Sequence, residues 1–128
     1  MPAVTPPTMP AWNLALRFGL ELAALAALGL AGWTLASGPM RWVAVAALPL
    51  IAAAAWGVFN VVGDPSRSGA APIEVPGWVR LSVELIVLGG GALALAMSGR
   101  PVLGAALAPL IVIQYATSLP RVRWLLER

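Results

Sequence analysis

Long apolar runs alternate with short polar breaks along this chain, and the breaks set its plan. Apolar residues dominate 13–36, 40–62, 78–97 and 102–118. A helix rising 1.5 Å per residue needs roughly 17–25 apolar residues to cross the hydrocarbon core, so each run is long enough to span. The breaks carry turn chemistry: Ser37-Gly38-Pro39 after the first run, Ser98-Gly99-Arg100-Pro101 after the third, and Pro120 after the fourth. Residues 63–77, rich in Gly, Pro and Ser, form the only substantial polar linker. Residues 1–12 contain Pro2, Pro6, Pro7 and Pro10 and no charged side chain. They read as a flexible leader and, lacking a basic start, not as a secretory signal. Asn13 stands where a helix N-cap is expected. The basic, amphipathic stretch 121–128 reads as a short helix lying along the lipid surface. The pattern predicts an all-α protein: a four-transmembrane-helix bundle spanning 13–120, built of hairpins 13–62 and 78–118.

Composition strengthens this reading. The chain is 60% hydrophobic and only 10% charged, against about 25% charged in soluble domains. Its mean hydropathy is +0.88, so it is expected to be an integral membrane protein with the lipid bilayer as its solvent. With no Cys and no His, it lacks the residues for disulfides, thiolate metal sites and the commonest general base. No metal, no cofactor and no enzymatic activity are expected.

All eight basic residues are arginines and the net charge is +3. In a soluble chain this would suggest nucleic acid; here the arginines flank apolar segments, so no nucleic-acid partner is expected. Four spans place Arg17, Arg67, Arg80, Arg121, Arg123 and Arg128 on one side, with Arg41 and Arg100 on the other. The positive-inside rule then puts both termini in the cytoplasm.

Charge inside the spans is the unusual feature. Arg17 precedes Glu21 by four residues, and Arg80 precedes Glu84 by four, so each pair shares a helix face. The two pairs are 63 residues apart, and Ala46-Ala47-Leu48-Pro49-Leu50-Ile51 resembles Ala106-Leu107-Ala108-Pro109-Leu110-Ile111. These matches suggest an internal duplication of one hairpin, with the copies related by a pseudo-twofold axis along the membrane normal. That axis would bring both carboxylates inward at one depth. Asn60, Gln114, Tyr115 and Ser118 fall at the same end and could complete a polar network. The network is either structural, with ion pairs and amides joining helices, or a site where two carboxylates bind a cation or exchange protons. Pro49 and Pro109, at corresponding places, are either ordinary membrane-helix prolines or marks of a transport site. Gly89-Gly90-Gly91 lies within a span with no Lys after it, and reads as a packing surface.

The stretch 13–22, Asn-Leu-Ala-Leu-Arg-Phe-Gly-Leu-Glu-Leu, resembles the opening of the YrdB-like family, small four-helix bacterial membrane proteins of unknown function. Pro49-Leu50 with Trp56-Gly57-Val58-Phe59, and Val79-Arg80-Leu81-Ser82-Val83-Glu84-Leu85, fit the same pattern. The resemblance covers about residues 13–115 and implies the fold and a place in the bacterial inner membrane, with no activity to carry over. Function is expected to be that of a non-enzymatic bundle that scaffolds or partners another membrane protein, possible homodimers included. The alternative is a small permease or proton-coupled carrier using Glu21 and Glu84. The position of a carboxylate in the first of four short spans is similar to the small multidrug-resistance transporters, by position alone.

Overall fold

The computed structural model describes residues 5–66 and 69–128. It is all-helical apart from one two-residue strand pair. The elements are α1 (Ala11–Leu35), α2 (Met40–Val58), β1 (Phe59–Asn60), β2 (Ile73–Glu74), α3 (Gly77–Met97), α4 (Pro101–Ala116) and α5 (Leu119–Leu126). Three helices, α1, α2 and α3, are long and apolar enough to cross a membrane. A fourth span results if α4 and α5, bent by 71° at their junction, count as one. The protein is a membrane protein on this basis.

The helices pack side by side in the order α2, α1, α3, α4, with α1 and α3 at the centre. Small residues let the backbones approach closely. A Cβ placed on Gly91 of α3 would lie 2.8 Å from the Ala24 Cα of α1. One on Gly32 would lie 2.5 Å from the Ala44 carbonyl of α2, and one on Gly104 the same distance from the Ala92 carbonyl. Leu20, Ala24, Ala52, Trp56, Leu88 and Leu107 form the apolar core between these contacts. Large side chains such as Leu50, Ile51, Ile86, Val102 and Val112 point outward, as suits a bundle solvated by lipid. Pro49 and Pro109 sit inside helices that continue through them. At the end formed by the tight turns, Trp33 meets Trp42 edge-on at 4.8 Å, and the Arg41 guanidinium lies 4.7 Å from the Trp33 ring centre.

Three local expectations change. α1 begins at Ala11 after Pro10, and no side chain caps it; Asn13 lies inside the first turn and is fully buried. The second apolar run leaves the helix at Val58 and not at Val62. Arg80 explains the stop: its Nη1 donates to the carbonyls of Trp56 and, at 2.7 Å, Phe59. Those oxygens are thereby satisfied without a further helical turn. The freed chain runs extended, and Phe59–Asn60 pairs in parallel with Ile73–Glu74, so the linker is tied to the bundle end. The third change is α5. It does not merely lie on lipid: Arg121, Trp124 and Leu125 are buried against the bundle. A Cβ on Gly77 would collide with the Leu125 carbonyl, and the Gly77 N–H donates to the Arg128 carbonyl at 3.1 Å.

Candidate functional site: a buried ionic cluster

The start of α1, the end of α2, the linker, the start of α3, the end of α4 and all of α5 meet at one end of the bundle. Charges from four of these elements converge there. Glu84 of α3 is 0% exposed and stands at the centre. Its Oε1 accepts from Arg17 Nη2, from Arg80 Nε at 3.1 Å and from Arg121 Nη2 at 2.6 Å. Its Oε2 accepts from the Tyr115 hydroxyl at 3.0 Å and from Arg121 Nη1 at 3.1 Å. Both oxygens are engaged, by three guanidinium groups and a phenol.

Asp64 holds the other side. Its Oδ1 accepts from Arg121 Nε at 2.8 Å and its Oδ2 from Arg121 Nη2 at 2.7 Å. The Ser66 N–H and hydroxyl also donate to Oδ1, at 3.0 and 2.8 Å. Arg80 Nε stands 3.7 Å from Oδ2. Burial alone would raise this carboxyl's pKa. The Arg121 hydrogen bonds and charge, with the Ser66 donors, outweigh that and hold it at about 2. Arg121 thus clasps two carboxylates with one planar fork, a geometry lysine lacks. The indole of Trp56 lies behind the cluster, with the Arg17 and Arg80 guanidinium carbons 5.1 and 5.3 Å from its ring centre.

The residues singled out from sequence fall into three groups. Arg17, Arg80, Glu84 and Tyr115 come together in the cluster. Glu21 lies at its rim, 15% exposed, with its Oε1 3.8 Å from Arg17 Nε. It lines a cleft of about 200 Å³ with Phe18, Leu25, Ala53, Trp56 and Val87. The two carboxylates are therefore not equivalent: Glu84 is enclosed and Glu21 borders open space. Asn60 and Gln114 take neighbouring jobs. Asn60 Nδ2 donates to the Ala70 carbonyl at 3.3 Å and its Oδ1 accepts from the Val61 N–H, which fixes the linker. Gln114 Nε2 donates to Asn13 Oδ1 at 2.9 Å, while Asn13 Nδ2 donates to Thr117 Oγ1 at 2.9 Å, joining α1 to α4. Ser118 donates to the Gln114 carbonyl at 2.6 Å. Arg67, assigned by sequence to this end, lies outside the described residues.

Sequence reasoning passed over Asp64, Arg121 and Asn13. Asp64 sat in a linker read as solvated, and Arg121 in a tail read as interfacial. A signal for each existed. Asp64-Pro65-Ser66 is an Asx-turn sequence, in which the carboxylate has local work. Arg121, Trp124 and Leu125 stand at i, i+3 and i+4, so an inward apolar face of α5 carries the arginine with it.

A bundle of membrane helices closed at one end by five buried charges defines the class. The family model described as "Protein of unknown function (DUF2568)" matches residues 15–112. The chain is also 39% identical over 116 residues to the uncharacterized protein YrdB of Bacillus subtilis (strain 168), covering 91% of this chain and 94% of that one. The chain belongs to this YrdB-like family of unknown function. No solved structure matches it.

Proposed function

We propose that this protein is a non-enzymatic membrane bundle that scaffolds or partners another membrane protein, and that the cluster is its structural clasp. The observation that carries the reading is the closure of Glu84: five hydrogen bonds from this chain's own side chains occupy it. A carboxylate so held has both oxygens occupied and one geometry, which suits a lock better than a site that must open to a ligand. The outward flank of α2, with Trp42, Val43, Leu50 and Ile51 exposed, is the face offered to a partner helix. A photoreactive residue at Leu50 should then cross-link to a discrete second protein, or a second copy, in native membranes. Cross-links to lipid alone would refute the partner reading.

The architecture belongs to the same proposal. Two hairpins related by duplication account for the central α1–α3 pair flanked by α2 and α4, with a small-residue contact inside each hairpin. Four spans place both termini on the arginine-rich side, which the positive-inside rule assigns to the cytoplasm of a bacterial inner membrane.

A second reading, a small permease or proton-coupled carrier, draws on one observation: Glu21 borders a cleft open towards lipid. It requires Glu21→Gln to abolish proton-coupled flux by folded protein in liposomes. Unchanged flux in that variant would end it.

A further inference from the structure

A second cavity of about 400 Å³ opens between α3, α4 and α5, and its lining is entirely apolar. Leu81 and Leu85 form one wall, Ile111 and Val112 the other, and Leu119 and Val122 of α5 the top. Tyr115 lies between them, its hydroxyl turned away to Glu84. From α5, where Leu119 and Val122 line it, the groove descends about one and a half turns of α4, from Ala116 to Ile111. Because α5 leaves α4 at 71°, it lies across the bundle end while the groove runs down the lipid-facing flank.

Two side chains mark the mouth as interfacial. Trp78, one turn before Leu81 on α3, is 63% exposed, as in the aromatic belts at membrane surfaces. Arg123 follows Leu119 by one turn on α5 and is exposed, so it rises over the same flank. Among the described residues Arg123 forms no ion pair with Glu127, its neighbour one turn on, whereas Arg121 on the opposite face is consumed by Asp64 and Glu84. A cation over the upper end of an apolar slot matches a phosphate above an acyl chain.

We propose that this groove is a binding site for an anionic phospholipid, with one acyl chain between α3 and α4 and the headgroup phosphate on Arg123. The site goes beyond the scaffold reading and stands whether or not the chain has a protein partner. Arginine near a membrane surface contributes about 1 kcal/mol towards anionic lipid, so the preference should be about fivefold.

The test uses the purified full chain, delipidated in mild detergent and titrated with dioleoyl-phosphatidylglycerol or dioleoyl-phosphatidylcholine, with retained lipid counted by native mass spectrometry. Phosphatidylglycerol should be retained about fivefold better, and Arg123→Gln should level the two without lowering the melting temperature. Glycerol phosphate, the headgroup alone, should not compete, because the acyl slot supplies the rest. Equal retention of both lipids by the native chain, or an unchanged preference in Arg123→Gln, overturns the proposal. A second measurement locates the chain. Phosphatidylglycerol carrying a diazirine in its acyl tail should label Leu85, Ile111 and Val112; labelling spread evenly over α2 would overturn the site even if the preference held.

Discussion

Glu84 and Glu21 have the same sequence surroundings and opposite fates. Glu84 is ringed by three arginines, so Glu84→Gln would leave guanidinium charge buried against a neutral amide. Removing one partner of a buried ionic set costs about 3–5 kcal/mol, and a loss of that size should appear in detergent unfolding. Glu21, at the rim and 3.8 Å from Arg17, should cost less as Glu21→Gln. If the two variants melt together, the asymmetry of the cluster is wrong. Asp64 supplies a pH signature. Its folded pKa of about 2 lies below the ordinary 3.8, so its stabilisation is complete above about pH 4. As pH falls from there towards 2, the unfolded chain takes up a proton that the folded carboxylate resists, and stability drains away. The loss amounts to about 2 kcal/mol, and Asp64→Asn should remove that part of the acid response in melting curves. An unchanged profile would show that Asp64 contributes nothing to it.

At the scale of elements, the apolar runs and turn residues were enough to place the helices, because lipid leaves the backbone little else to do. Their ends were harder to read. α2 stops where Arg80, from a helix distant in sequence, takes its carbonyls, and no residue near Val58 announces this. The central position of Arg17, Arg80 and Glu84 was visible in the i, i+4 spacing, since buried charge needs a partner nearby. The asymmetry was not visible: the linker and α5 contribute Asp64 and Arg121 to only one of two similar carboxylates. The matching Arg-Glu spacing therefore hid two unlike environments. α5 itself is docked by a backbone contact at Gly77, where a side chain has no room. Gly77→Ala should cost about 1–3 kcal/mol as an overpacking change and release α5. Trypsin should then cut after Arg121 and Arg123 much faster than in the native protein; equal rates would mean that the helix is held elsewhere.

At the scale of the whole molecule, burial divides the arginines into two sets. Three of the arginines at the cluster end, Arg17, Arg80 and Arg121, are buried among carboxylates. The proposed cytoplasmic orientation therefore draws on residues that are unpaired during insertion but neutralised once folded. The absence of cysteine makes the test clean. Ser37→Cys should react with an impermeant thiol reagent from outside intact cells, and Glu127→Cys only after permeabilisation. The reverse pattern would invert the protein.

Arg121 also has a consequence in time. It lies on α5 and follows α1 to α4 in chain order, so a ribosome delivers it after those four helices. Until it arrives, Glu84 relies on Arg17 and Arg80, and Asp64 on Ser66 and on Arg80 at 3.7 Å, so the link that ties both carboxylates to α5 is not yet made. A chain cut short before this arginine therefore lacks the fork that hydrogen-bonds both carboxylates at once.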